Sequence, residues 1–450
     1  MNAFNENLNE QQAQQPMGCL HRFSKTIKVV IIGLLILLLM IPMFMIENLI
    51  SERGRTQEEA IDEVSEKWSL AQTITGPYLN LQYPVVTENN GEKKVSIKDL
   101  ILFPDELMVN GQLKTEILKR SIYEVNVYQS ELTLKGSFSS EELKKSRIDM
   151  DQLQFDRAAI CLNLTDMRGI SEQISITLGD SVYIFEPGMD NRGIANTGVH
   201  AIANLSELKQ NKKLPYEIKI KLKGSQSLNF IPLGKTTRVD LKANWNTPSF
   251  TGNYLPNNRN ITEKEFSAQW QVLNLNRNYS QVMADYNTSN IKDIENSSFG
   301  VNFKIPVEQY QQSMRSAKYA ILIILLTFGV IFFTEIMNKT RIHALQYLLV
   351  GLALCLFYSL LLSFSEHVGF NPAYLLSSAL TIILVGGYMF GITKKKKPSL
   401  IMSGLLGILY LYIFVLIQLE TFALLAGSLG LFIILAMVMY FSKKIDWFNE

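Results

Sequence analysis

Residues 319–337 read YAILIILLTFGVIFFTEIM, in which Glu335 is the only acidic or basic side chain. A helix of about 20 apolar residues is long enough to cross the hydrocarbon core of a bilayer. Five further apolar runs share this character and lie at 27–46, 345–364, 373–393, 400–419 and 422–441. The segment 47–316 between the first two runs is polar. A soluble globular enzyme is therefore excluded, and the sequence predicts a membrane protein with a large water-facing domain.

Composition agrees with this division of the chain. Of 450 residues, 47% are hydrophobic and 19% are charged, against roughly 25% charged residues in an average soluble protein. Lys and Arg number 43 and Asp and Glu 41, for a net charge of +2. Without a basic excess to neutralise phosphates, a nucleic-acid partner is not expected. The three cysteines, Cys19, Cys161 and Cys355, are predicted to lie in three different compartments, which excludes a disulfide among them.

The distribution of basic residues predicts how the helices are oriented. The positive-inside rule assigns Lys- and Arg-rich short segments to the cytoplasm. Such segments alternate along the chain with uncharged or acidic loops; they are Arg22 to Lys28, Lys339 with Arg341, Lys394–Lys397, and Lys443 with Lys444. Both termini are therefore predicted to be cytoplasmic and 47–316 to be external. Arg315 and Lys318 are the exception, because they stand at the external end of the second run.

The predicted domains follow from these boundaries. They are a disordered cytoplasmic tail (1–26), transmembrane helix 1 (27–46), an external β-rich domain (47–316), a five-helix transmembrane bundle (317–441, with helices 319–337, 345–364, 373–393, 400–419 and 422–441) and a cytoplasmic tail (442–450). The first run lacks a following cleavage site, which favours a retained anchor over a signal peptide.

The external domain has the pattern of β-structure. Tyr216–Lys223 (YEIKIKLK) alternates strictly between apolar and polar residues, as a half-buried strand does. Similar alternation predicts strands at 95–102, 121–134, 174–185, 238–245 and 266–275, and turns at Asn90-Gly91, Asn110-Gly111, Pro187-Gly188 and Leu255-Pro256-Asn257. Helices are predicted from a capping box at Thr56, from Ser139 and from Pro306, the last running unbroken into the second transmembrane helix. The predicted fold class is an α+β membrane protein with six transmembrane helices and a mostly antiparallel external β domain.

Motifs for chemistry are missing from the sequence. It contains no phosphate-binding loop, dinucleotide fingerprint, paired-cysteine metal motif or zinc-protease helix. We therefore predict no catalytic, cofactor-binding or metal-binding residues and no cofactor. Two enzyme-like alternatives carry less weight: an external metal site using His200, Glu366 and His367, and a hydrolase whose Ser, His and Asp converge only in the fold.

The predicted bundle is equally poor in ionisable groups. Ion-coupled carriers place such residues near the membrane midplane, whereas here the centres of all six runs lack them. Glu335 is expected to pair with Lys339 at the cytoplasmic interface. The spacings Gly387-x-x-x-Gly391, Ser403-x-x-x-Gly407 and Ala423-x-x-x-Gly427 predict close helix packing, within the chain or, as the second choice, between copies.

Short motifs ordered along most of the chain suggest a family. They include Gly76-Pro77, Arg120–Val125, Pro232–Gly234, Pro248–Gly252, Ile342-His343 with Gln346-Tyr347, and Ser363–His367 with Gly369-Phe370. In this order the chain resembles the CreD family of inner membrane proteins, also described as cell envelope integrity proteins. Two positions depart from the family pattern: Ser121 stands where the family has Gly, and Ala344 where it has Pro.

The resemblance implies a multi-pass protein of the bacterial inner membrane, with 47–316 in the periplasm, that supports envelope integrity and stress tolerance. It implies no catalytic residues and no cofactor. Partners are expected to be the lipid bilayer and envelope proteins or lipids, with the oligomeric state open. The turn-rich loop carrying Phe250, Tyr254 and Pro256 is predicted to expose aromatic residues for such a partner. The runner-up function is a transporter or lipid-handling protein with a pathway in the helix bundle.

Overall fold

The structure, a computed structural model, describes residues 24–89, 92–145, 148–189, 194–195, 197–210, 212–284, 288–303, 308–338, 341–419 and 423–443. Four predicted features lie wholly or mainly outside these residues: the terminal tails at 1–26 and 442–450, the turn at Asn90-Gly91 and the helix start at Pro306. The α-helices of the described part are α1 (Ser24–Trp68), α2 (Glu141–Lys145), α3 (Thr288–Asn296), α4 (Glu308–Lys318), α5 (Ala320–Asn338), α6 (Ala344–Val368), α7 (Phe370–Thr393), α8 (Lys396–Gln418) and α9 (Ala423–Ser442).

The chain divides into two units, one mostly helical and one mostly β. The helical unit comprises residues 1–56 and 307–450, and the β unit comprises residues 57–306. The β unit is therefore an insertion between two parts of the helical unit. Helix α1 begins in the helical unit and ends in the β unit.

The two helices that connect the units differ from the sequence prediction. Helix α1 is continuous from Ser24 to Trp68, so no new helix starts at Thr56. The Thr56 hydroxyl instead donates to the carbonyl of Glu52, 3.0 Å away, as a hydroxyl inside a helix does. At the other connection, α4 and α5 are separated by a turn at Tyr319 rather than forming one unbroken helix.

In the described part, five helices are long and apolar enough to cross a membrane: α1 near the N-terminus and α5, α6, α7 and α8. The sixth predicted span corresponds to α9, whose described apolar section is Leu425–Ala436. As a sixth membrane helix, α9 is borderline.

The β unit contains two mixed sheets. Its described strands are β1 (Gln72–Asn89), β2 (Glu92–Leu102), β3 (Glu106–Arg120), β4 (Tyr123–Phe138), β5 (Ala158–Leu164), β6 (Ser175–Leu178), β7 (Ser181–Ile184), β8 (Glu186–Pro187), β9 (Gly198–Ala203), β10 (Leu214–Ser225), β11 (Ser227–Phe230), β12 (Thr236–Ala243), β13 (Ser249–Gly252), β14 (Asn258–Ile261), β15 (Phe266–Leu273), β16 (Val282–Ala284) and β17 (Phe299–Asn302). One sheet has the order β13-β17-β11-β1-β5-β9-β8, with β2 on β1 and β16 on β2. The other has the order β14-β15-β12-β3-β4-β10-β6-β7.

Most strand pairs are antiparallel, as predicted, but β1 with β11 and β12 with β3 are parallel. The alternation at 216–223 marks a real strand, because β10 covers it and buries Ile218, Ile220 and Leu222. The turn predicted at Asn110-Gly111 is wrong. Both residues lie inside β3, where a Cβ on Gly111 would stand 2.6 Å from the Leu241 side chain. Glycine is needed there for close packing, and cross-strand pairing overrides the local turn preference.

The middle of the first sheet is buried on both faces, which explains why every residue of β5 (AAICLNL) is buried. Ile160 belongs to the large core that also contains Leu132 and Val239 of the second sheet. The next residue, Cys161, points to the opposite face and belongs to a smaller core with Phe103 and Ile294. The second sheet has one polar face, so β3 alternates between exposed and buried residues.

The hairpin between β3 and β4 turns at Ser121 and Ile122, since Arg120 pairs with Tyr123. Ser121 has a φ of 57°, a left-handed backbone conformation that favours glycine in a two-residue hairpin turn.

We expect Ser121→Gly to stabilise the β unit by about 0.5–1 kcal/mol, because it removes the steric cost of a positive φ. The measurement is the melting temperature of the purified full chain, followed by tryptophan fluorescence. Ser181→Gly in strand β7, where the backbone is extended, is the control and is expected to lower that temperature. Equal effects of the two substitutions would contradict the assignment.

Candidate functional site

The predicted contact loop lies between β13 and β14 in the β unit. The Phe250 ring is half-buried and packs edge-on against Phe266 and Trp270, with ring centroids 5.8 and 5.6 Å apart. Gly252 closes this strand at a φ of 91°, and a Cβ there would lie 2.2 Å from the carbonyl of Ser298. The start of the loop is therefore held against the core.

The rest of the loop combines an anchored aromatic ring with an exposed leucine. The half-buried Tyr254 ring meets Phe299 edge-on at 5.9 Å, and its hydroxyl donates to the carbonyl of Asn276 at 2.8 Å. Pro256 is also half-buried, whereas Leu255 is 67% exposed. The expectation that Phe250 and Tyr254 are freely exposed is wrong, because both rings pack on the core. A partner contact at Phe250, Tyr254 and Pro256 stays a prediction, and Leu255 is the apolar side chain the loop presents.

Two of the three residues of the alternative metal site, His200 and Glu366, have other partners. His200 Nδ1 lies 2.7 Å from the carbonyl of Gly188, and Glu366 accepts a hydrogen bond from the Tyr310 hydroxyl at 3.1 Å. No group of three or more His, Cys, Asp or Glu residues suitable for holding a metal ion occurs among the residues that were described.

A buried carboxylate, Asp166, connects the end of α1 to the β unit. Asp166 accepts hydrogen bonds from the backbone N–H of Leu70 (2.9 Å) and from the backbone N–H and Nε of Arg168 (both 3.0 Å). Its own backbone carbonyl accepts from Gln72 at 2.8 Å. Asp166 is 7% exposed. Burial by itself raises the pKa of Asp166, but the hydrogen bonds from Arg168 and Leu70 outweigh it and leave the pKa below its ordinary value.

The chemistry available to this cluster is structural. The charged carboxylate of Asp166 accepts hydrogen bonds from Leu70 and Arg168 at the point where α1 ends and β1 begins. The Arg168 side chain is half-exposed. Asp166 therefore fixes the chain as it enters the sheet.

The helical unit has an aromatic interior. Phe357 lies with its ring 5.4 Å from Tyr374 and 4.5 Å from Tyr410, in T-shaped and tilted contacts. The Tyr374 hydroxyl donates to the backbone carbonyl of Tyr410 at 2.9 Å, and Tyr358 is 1% exposed. This packing between α6, α7 and α8 leaves the middle of the unit filled with rings rather than with ionisable groups.

One end of the helical unit is held by an ion pair. Lys28 of α1 pairs with Glu335 of α5 and donates to the carbonyl of Ile342 at 2.9 Å. The second Glu335 oxygen accepts from the Tyr347 hydroxyl at 3.1 Å. Lys339, the expected partner, lies outside the described residues. The partner that the structure gives Glu335 comes instead from the first helix, more than 300 residues away in sequence, which local spacing cannot reveal.

Close helix approaches occur at glycines other than those predicted. Gly387, Gly391, Gly407 and Gly427 have open space where a Cβ would stand. A Cβ on Gly386, by contrast, would lie 2.1 Å from the hydroxyl of Ser403, and one on Gly351 would lie 2.1 Å from Leu39. Among the described residues, Gly387, Gly391 and Gly427 of the predicted spacings thus mark no tight helix contact.

We expect Asp166→Asn to destabilise the β unit by about 2 kcal/mol, because charged hydrogen bonds become neutral ones. Since the folded pKa of Asp166 is lowered, its contribution is present above the ordinary carboxyl pKa of about 4 and is lost as the pH falls through the lower folded value. The melting temperature of the variant should therefore lie roughly 4–8 °C below that of the wild type at pH 7. The gap should close below about pH 4.

Asp180→Asn, at an exposed turn, is the matched control for that experiment and is expected to leave the melting temperature unchanged. A gap that stays constant between pH 7 and pH 3 would show that the Asp166 charge does not stabilise the fold.

Comparison with known proteins relates the whole chain to one family. Residues 24–448 match the family model described as "Inner membrane protein CreD". The curated Inner membrane protein CreD of Escherichia coli (strain K12) is similar to this chain, with 32% identity over 420 residues, which cover 92% of this chain and 91% of that protein. The match includes both the apolar helices and the inserted β unit.

Proposed function

Because the chain belongs to the CreD family of inner membrane proteins, we propose that it is a non-enzymatic, multi-pass inner-membrane protein that supports cell envelope integrity and stress tolerance. In this proposal both termini are cytoplasmic, and the β domain at 47–316 lies in the periplasm and carries the function. Contact with the lipid bilayer follows from the apolar helices. Envelope proteins or lipids are the proposed partners of the β domain.

The observation that carries the proposal is the double attachment of the β unit. The chain enters it through α1, which contains the first membrane helix, and leaves it toward α4 and α5. A domain tied at both chain ends has a short reach. It is suited to holding or sensing partners close to the membrane.

The runner-up function, lipid handling, also has an observation in its favour. An apolar cavity of about 380 Å³ lies between α5, α8 and α9. The aromatic interior around Phe357 disfavours an ion-coupled carrier, because such a carrier needs ionisable groups near the midplane. Lipid handling is therefore the form of this alternative that we retain.

The first experiment compares detergent and antibiotic permeability in cells that lack the gene. The cells are complemented with the full chain or with a chain in which residues 57–306 are replaced by a flexible linker. We expect only the full chain to restore the barrier. Restoration by the linker variant, at equal abundance in the membrane, would place the function in the helices.

A second arm tests the contact loop with the fold kept intact. Leu255→Glu places a charge on a side chain that is 67% exposed, so folding should not change, and we expect the variant to fail to restore the barrier. Val182→Glu, at a side chain that is 63% exposed on β7, is the control and should restore it. If Leu255→Glu complements like the wild type, the loop is not a contact site.

A further inference from the structure

The outer surface of the helical unit contains a long apolar groove. Its deeper part is the cavity of about 380 Å³ between α5, α8 and α9, lined by side chains such as Val330, Ile408 and Ile433. Gly329 of α5 lines it too, and a Cβ there would meet nothing within 4 Å. The glycine therefore leaves space that a larger residue would fill.

The groove continues toward the end of α5 that follows α4. A second cavity of about 400 Å³ shares Leu325 and Tyr412 with the first and extends past Leu322 to Lys318. The Tyr412 hydroxyl is used within the fold, since it donates to the carbonyl of Ala426 on α9 at 2.8 Å. This contact holds α8 and α9 together at the wall of the groove without adding a free polar group.

Two cations stand at the end of the groove. Lys318 also lines a third cavity, of about 360 Å³, together with Arg315, Gln311 and Ser51. Both cations are exposed, and neither has a hydrogen bond or an ion pair with any described residue. The nearby acid, Glu366, already contacts Tyr310 and Arg53, the latter at 3.8 Å. In the described part of the chain, Glu366 forms no ion pair with Arg315 or Lys318.

The position of these cations needs an explanation. Lys318 is the last residue of α4 and stands next to the start of α5, whereas Glu335 lies near the other end of α5. From Ala320 to Glu335 the helix axis rises about 22 Å at 1.5 Å per residue. Glu335 marks the end where basic residues cluster in sequence, so Arg315 and Lys318 stand at the opposite interface, against the positive-inside trend. A cation at that interface is stabilised by an anion in the adjacent headgroup layer.

We propose that the groove is a binding site for one anionic phospholipid. The phosphate of the lipid lies between Arg315 and Lys318, and an acyl chain lies in the apolar groove between α5, α8 and α9. Guanidinium and ammonium groups both donate charge-assisted hydrogen bonds to phosphate oxygens. The groove supplies contacts for methylene groups, and each of its two cavities is within the size range of ligand sites. The proposal does not depend on where the envelope function resides.

The experiment measures lipid binding to the purified full chain after delipidation in detergent. Phosphatidylglycerol and phosphatidylcholine are titrated separately, and native mass spectrometry counts the bound lipids. We expect one phosphatidylglycerol to be retained more tightly than phosphatidylcholine. Arg315→Gln together with Lys318→Gln should weaken that binding roughly 10- to 30-fold. Lys396→Gln together with Lys397→Gln removes the same charge from the other end of the bundle and should leave the binding unchanged.

Filling the groove tests the acyl-chain part of the site. A Cβ at position 329 would meet nothing within 4 Å and the residue lines the cavity, so Gly329→Leu is expected to fill part of the cavity and to weaken phosphatidylglycerol binding without lowering the lipid-free melting temperature. Gly427→Leu, in the second cavity, should act in the same way. Gly404→Leu is the control, because Gly404 is exposed on α8, has the same open space and does not line the groove.

Four results would overturn the proposal. The first is equal retention of phosphatidylglycerol and phosphatidylcholine, and the second is an equal loss of binding in both double-Gln variants. The third is displacement of the lipid by free glycerol phosphate, together with unchanged binding in Gly329→Leu and Gly427→Leu. The fourth is the formation of dimers through the groove when the lipid is removed. The third result would reduce the site to a phosphate contact. The fourth would identify a second copy of the chain as the occupant.

Discussion

The structure depends on one constraint: backbone N–H and C=O groups in the hydrocarbon of a membrane must bond within their own segment. Helices alone satisfy this in a chain of separate apolar runs, so α5, α6, α7 and α8 are uninterrupted over most of a bilayer's thickness. Side chains are then free to decide how these helices pack. They do so with rings around Phe357 and with ion pairs such as the one from Lys28 to Glu335 at an end of the unit.

In the β unit the backbone groups pair between neighbouring strands, and the middle of one sheet is buried on both faces. Successive residues of β5 point to opposite faces, so that Ile160 and Cys161 belong to two different cores. This arrangement anchors the first sheet from both sides and leaves the polar face of the second sheet for solvent. The loop with Phe250 and Tyr254 is part of that packing, so a partner would meet a rigid loop whose exposed apolar residue is Leu255.

The membrane side of the protein offers a different surface to its surroundings. Arg315 and Lys318 depart from the orientation that the positive-inside rule predicts for the rest of the chain, and they stand at the end of an apolar groove. A site of this composition matches an amphiphile, with charge at one end and methylene contacts along the rest. In the two proposals, the β unit serves partners in the aqueous compartment and the groove serves a lipid of the bilayer.

The length of the apolar runs and the alternation of apolar and polar residues predicted much of the secondary structure. The apolar runs became helices, and the alternation at 216–223 became β10, because both patterns reflect which side of an element is buried. Local signals misled where distant neighbours decide. Thr56 lies inside a continuous helix, and Asn110-Gly111 lies inside a strand that packs on Leu241.

The sequence by itself determined the membrane helices, the β character of the insertion and the family. Only the tertiary structure decided the partner of Glu335, the anchoring of Phe250 and the groove beside Lys318, because each joins residues far apart in the chain.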